Sequence, residues 1–192
     1  MLRPVSTALL ALLLAVSTSS LALADDAERV AKARQAIKGL ADDLRNELVA
    51  AMKAGGPVPA LQVCNTRAHE IQDLPSNATG MDVSRTALKV RNPANAPDAF
   101  ERRTMEGFIE KMKGGADPMA LEHVETVTEN GGKIFRYMKP IPTAAEPCLA
   151  CHGSELKPEV SAEVKRLYPE DQAIGFKAGD LRGAFSVMQK VE

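Results

Sequence analysis

The residues best equipped for chemistry form one short run, Cys148-Leu149-Ala150-Cys151-His152. Two thiols three positions apart, followed at once by an imidazole, are the attachment pattern of c-type haem. Thiols so spaced can reach the two vinyl groups on one edge of a porphyrin and form thioethers. The next residue then brings its ring under the iron, which makes His152 the proximal axial candidate. Pro147 before the run and Gly153 after it predict a tight turn rather than a long helix. Three other chemistries use the same cysteines. A thioredoxin-like pair normally sits at a strand-to-helix junction with a lowered thiol pKa, whereas this run follows a proline-rich loop. A zinc site would need its second half from Cys64, His69 or His123, none of which stands at a usual ligand spacing. A plain disulfide leaves His152 without a purpose.

A haem iron held by His152 has a second axial face. The candidates are Cys64, His69, His123 and the methionines. Cys64 is the leftover thiol of three cysteines. Its predicted helix places it on the apolar stripe with Leu61, Ala68 and Ile71. The ordinary reading is an inert buried cysteine, which packs like a small apolar group; ligation is the sharper alternative. His69, five positions on, lies about 140° around the helix, off that stripe, and is expected in solvent. His123 opens a strand, and the methionines are expected to fill core. Arg91, Arg136 and Arg182 are candidate partners of haem propionates, because guanidinium groups bind carboxylates bidentately; each is otherwise a solvated charge. Asn92 and Asn95 are expected to satisfy loop backbone groups.

These groups need elements to hold them. The first 24 residues pair a positive start (Arg3) with an apolar run from Ala8 to Val16 and an Ala22-Leu23-Ala24 site before Asp25. That is the pattern of a signal peptide, too short to span a bilayer, which takes about 20 apolar residues. The mature chain would be residues 25–192, a single domain with no membrane span, exported to a periplasm. Val30, Ala33, Ile37, Leu40, Leu44 and Leu48 recur with helical period, predicting a long helix over 25–53. A second helix is expected over 59–72 and a loop over 75–80. A strand is expected within 81–91, then a non-regular 92–97. Asp98 should cap a helix running to Lys113. Asn130-Gly131-Gly132 predicts a hairpin between strands at 122–129 and 133–141. A short helix over 161–167 and a last strand over 184–191 complete an α+β architecture, an antiparallel sheet with flanking helices.

Composition sets bounds. The chain has 192 residues, 45 % hydrophobic and 26 % charged, with a formal net charge of −1. That suits a globular domain and gives no basic face for nucleic acid. Three cysteines are too few for a disulfide scaffold. No Ser-His-Asp set, phosphate-binding glycine loop or paired catalytic carboxylates stand out. A haem enzyme such as a peroxidase would need an open distal face with an acid–base residue, which ligation by Cys64 would fill, so an enzyme is not expected.

Taken in order, Cys64-Asn65, the stretch Val90-Arg91-Asn92-Pro93-Ala94-Asn95-Ala96-Pro97-Asp98, the run Cys148–Gly153, Tyr168–Gly175 and Gly179–Val187 resemble a family of exported bacterial c-type haem domains with a PAS-like sensor fold, long catalogued as a domain of unknown function. The resemblance covers roughly Leu61 to Val191, with the PAS-like core at about 60–192. It implies a central antiparallel sheet, one covalent haem c, and an axial pair made of the motif histidine and an upstream cysteine, here His152 and Cys64. Phe100 departs from the pattern, standing where a larger aromatic is expected. Some relatives carry the domain ahead of membrane and signalling modules; here any output would pass to a separate partner.

A thiolate ligand donates electron density to iron and should lower its reduction potential. The expected function is a haem-based redox or small-gas sensor, in which ferric iron holds Cys64 and ferrous iron releases it, opening a site for a diatomic gas. The alternative is a periplasmic electron-transfer cytochrome c without a signalling role. Either needs the cytochrome c maturation machinery and a redox or signalling protein partner.

Overall fold

The structure, a computed structural model, describes residues 8–191, with side chains from Asp25 onward. The expected signal peptide over 1–24 falls on Met1–Thr7, which lie outside the described residues, and on positions whose side chains are not described. No described helix is long and apolar enough to cross a membrane.

Helix α1 spans Ala8–Gly55 and helix α2 spans Pro57–Thr79. The predicted stripe of α1 is the buried one: Ala33, Ala36, Ile37 and Leu40 pack with Ile71 of α2 and against one face of the sheet. The expected loop at 75–80 is instead the last turn of α2. Pro75 sits inside the helix, and Thr79 Oγ1 donates to the Pro75 carbonyl at 2.7 Å. Gly80 then ends the helix at φ 67°, a left-handed conformation that favours glycine.

Strand β1 covers Asp82–Thr86, β2 His123–Glu129, β3 Gly132–Pro142 and β4 Leu181–Val191. They form one antiparallel sheet in the order β1-β4-β3-β2, so the last strand lies between the first and the third. The predicted hairpin is present, with Asn130 at φ 50° and Gly131 at φ 79°. The strand expected within 81–91 ends at Thr86, because the chain turns there toward the Asn-Pro loop, whose Asn95 carbonyl accepts from Ala87 N at 3.2 Å.

Side chains alternate between the two faces of a strand. Val83, Phe135, Tyr137 and Val187 share the face covered by α1 and α2. Met138 and Ala184 point the other way, onto helix α3 (Ala99–Lys113), with Phe100, Met105 and Phe108. Asp98 caps α3 through a capping box with Glu101, as the sequence predicts. Two short helices complete the chain: α4, a single turn over Leu149–His152, and α5 over Pro158–Leu167. The α+β plan, an antiparallel sheet flanked by helices behind a long N-terminal helix, is the one expected.

Candidate cofactor site

Beyond the core shared by α1, α2 and the sheet, the same side of the molecule holds a partly open cavity of about 250 Å³. Its floor is the sheet. Counting by twos from buried Val83 puts Arg85 and Ala87 on the cavity face, which the paired residues Ile141 and Gly183 also line. Gly183 has a strict packing reason: a Cβ there would meet the Thr86 carbonyl oxygen at 2.4 Å. The roof is α2, with Leu61, Cys64 and His69, helped by Leu48 and Met52 from the end of α1. The wall is Pro147, Cys148, Cys151, His152 and Tyr168.

The single turn of α4 puts both motif thiols on that wall. Cys151 N donates to Cys148 O at 3.2 Å and His152 N to the same oxygen at 2.9 Å. Gly153 closes the turn, where a Cβ would lie 2.7 Å from the Leu149 carbonyl. Beneath it, Leu61, Val160 and Val164 form a small apolar cluster against which Cys151 packs.

An irregular stretch from Asp171 to Phe176 then fixes the turn in place. Phe176 N donates to His152 O and Gly175 N to Gly153 O, both at 3.0 Å. Arg91 is the clamp between these segments. Its Nε and Nη2 each reach Asp171 at 3.0 Å, while Nη2 also donates to Cys151 O at 2.7 Å and Ala173 O at 3.2 Å. Asp171 in turn accepts from Ala173 N at 2.9 Å. The Arg91–Asp171 pair is buried on both sides, so its charge is neutralised within the protein.

His152 donates from Nδ1 to the Ala173 carbonyl at 2.7 Å. That bond fixes the tautomer and leaves the Nε2 lone pair for a metal, the arrangement by which a backbone carbonyl orients a ligating histidine. Burial first, then the positive fields of Arg182 and Arg91, push the His152 pKa down to about 2, so the ring is neutral, the form that ligates. In this structure Nε2 accepts from Arg182 Nε at 3.3 Å.

Cys64 has accessible surface, but that surface borders the cavity. Burial raises its thiol pKa, opposed by the guanidinium groups of Arg85, Arg91 and Arg182. Burial likewise raises Cys151, with Arg91 opposing it and neighbouring Cys64 and Cys148 adding to the rise. Thus Cys64, Cys148, Cys151, His152, Arg91 and Arg182, separated widely in sequence, line one cavity.

Arg136 is not among them, which corrects the expectation that it could reach a haem propionate. It is 1 % exposed, donates to Asp98 at 2.6 Å and lies within ion-pair distance of Glu101 and Glu129. Its guanidinium stacks 4.5 Å above the Phe100 ring, and Phe100, smaller than expected, is buried beneath it. The reason is strand parity: Arg136 lies between Phe135 and Tyr137, which face the cavity side, so it must face α3.

His69 is a second correction. It lines the cavity instead of facing bulk solvent, and its Nε2 lies 2.9 Å from Asn92 Nδ2. Asn92 Oδ1 accepts from Ala94 N at 3.0 Å, which makes Nδ2 the donor and His69 Nε2 the acceptor. His123 lies elsewhere, against Phe100 and Glu125. Met81, Met105 and Met138 are core, as expected, while Met52 lines the cavity.

Two further lining residues, Tyr168 and Arg85, have no site role in the sequence pattern. Tyr168 enters there only as part of the Tyr168–Gly175 stretch. Arg85 carries one signal, its place two positions from apolar Val83, which puts it on the same face of β1.

These residues fit a porphyrin. Two thiols one helical turn apart stand beside a neutral imidazole with an oriented lone pair, and a third thiol, from α2, lines the same cavity. The buried Arg85 Nε has no hydrogen-bond partner among the described residues.

The sequence matches the model of the family described as Tll0287-like over residues 17–189. The structure is similar to the crystal structure of the cyanobacterial heme-protein Tll0287, with 29 % sequence identity and a TM-score of 0.63. The match covers 86 % of this chain and 96 % of that one. No curated protein matches the sequence significantly. With the family model spanning nearly the whole chain, the protein belongs to the Tll0287-like family.

Proposed function

We propose that the protein binds one c-type haem through thioethers to Cys148 and Cys151, with His152 and Cys64 as the axial ligands. The observation that carries this reading is the convergence of Cys64, from the roof helix, with the Cys148–His152 turn on one cavity. Similarity to the crystal structure of a cyanobacterial heme-protein supports it. When bound, the haem supplies a redox-active iron. The chain's own contribution is to fix the His152 ring through Ala173, to seat the thiols on one turn, and to set Cys64 opposite. With the cysteine on the far face, the ferric form offers no open coordination position, which supports a sensor or carrier over an enzyme.

The role is redox or small-gas sensing in a bacterial periplasm. What supports sensing over simple electron transfer is where the sulfur sits. Cys64 belongs to α2, which packs on the long α1, whereas the other haem-binding residues belong to the turn of α4. A sulfur that leaves on reduction removes one tie between α2 and the α4 turn, leaving the packing of Leu61 on Val160 and Val164 to hold them, and a partner protein can read the shift.

The test is a pyridine haemochrome assay with ferric absorption and paramagnetic resonance spectra, on protein made in a host that matures cytochromes c. The expected result is one covalent haem with a low-spin thiolate signature, lost in Cys64→Ala. Colourless protein overturns the reading. Ligation unchanged by reduction, together with rapid electron exchange with cytochromes, favours the electron carrier.

A further inference from the structure

The charge around the cavity is unbalanced. Three arginines line it, and no aspartate or glutamate does. Arg91 is neutralised by Asp171. Arg85 and Arg182 have no ion-pair partner among the described residues. The Arg85 Nε is buried and makes no hydrogen bond. Arg182 donates Nε to His152 Nε2, a bond that must open when that nitrogen ligates iron, and its Nη1 reaches the Lys89 carbonyl only at 3.4 Å. Half-burying an unpaired cation costs free energy, and two bordering one space repel each other. Such a pair persists where an anion completes it.

We propose that Arg85 and Arg182 form a two-point anchor for carboxylates, which, on the haem reading above, are the propionates of the bound porphyrin. The guanidinium fork matches a carboxylate, and a lysine would supply only a point charge. Arg85 comes from β1 on the floor and Arg182 from the start of β4, so the two adjacent strands hold the anionic groups while the α4 turn holds the vinyl edge. Both arginines are positioning residues that set how the ring lies between Cys64 and His152.

The test uses the full-length holoprotein and resonance Raman spectroscopy, in which the propionate-bending band reports hydrogen bonding to the carboxylates. R85Q and R182Q should each shift that band, and R85K should shift it less than R85Q. R136M, off the cavity, should leave it unmoved. The sulfur-to-iron charge-transfer absorption should stay in place in R85Q. If R85Q moves that absorption and not the propionate band, Arg85 serves the Cys64 sulfur and the proposal is overturned. A band unmoved in both R85Q and R182Q overturns it too. Should R85Q yield no holoprotein, R85K and R182Q decide by the same band. Failure of the underlying reading is seen separately, as wild-type protein with no haemochrome signal.

Discussion

His152 Nδ1 and the carbonyl oxygen of Ala173 lie 2.7 Å apart. A main-chain acceptor thus orients the imidazole, and no side-chain substitution can remove that acceptor directly. What can be removed is the clamp that holds Ala173. Asp171→Asn should leave the Arg91 guanidinium buried without its counter-charge and cost roughly 3–5 kcal/mol. Urea unfolding checks the loss. A replacement of both partners by apolar residues should recover part of it, and no recovery would mean that the pair acts through something other than its charge.

The neutral state of His152 predicts a pH dependence in the cofactor-free chain. Its pKa is about 2 in the folded state and about 6.5 when unfolded. Between those values the unfolded chain binds the extra proton. Stability is therefore full above about pH 6.5 and falls as pH drops below it, by up to about 1.4 kcal/mol per pH unit. Unfolding midpoints measured from pH 7.5 down to 5, above the range where carboxylates titrate, show the slope; His152→Gln should flatten it.

Gly183→Ala should damage the cavity floor. The added methyl would press on the Thr86 carbonyl, 2.4 Å away, and β1 would have to draw back from β4. The expected cost is about 1–3 kcal/mol, with reduced haem content per chain. Thermal unfolding and the haemochrome yield measure the two effects; an unchanged melting temperature contradicts the packing argument.

Arg136→Met separates fold from site. It removes the cation from buried Glu101 and from Asp98, at a cost of roughly 3 kcal/mol. The ferric absorption spectrum should match that of the wild type, because Arg136 faces α3. A shifted spectrum would mean that the two sheet faces are coupled.

Much of this was legible in the residues. The helical stripe of α1, the Asn130-Gly131 turn and the Asp98 cap are local signals, and each appears where its local physics puts it. The Cys148–His152 run carries its own spacing. Arg136 and His69 differ from expectation because their partners are far away in sequence. Strand alternation turns Arg136 from the face of Phe135 and Tyr137 toward Asp98, 38 residues earlier. His69 meets Asn92, 23 residues later, across the cavity lining. The clamp of Arg91 on Asp171 was equally hidden, since neither residue has a local reason to find the other. The loop expected over 75–80 gives way to helix because the buried contacts of Ile71 and the hydrogen bonds of Ser76 and Thr79 carry α2 past Pro75.

The placement of β4 makes the carboxyl end of the chain a keystone. Its two edges hydrogen-bond to β1 and to β3, and it carries Arg182 and Gly183 into the cavity lining. Trimming that ribbon would part the sheet along its middle and take away the cavity's base in the same stroke.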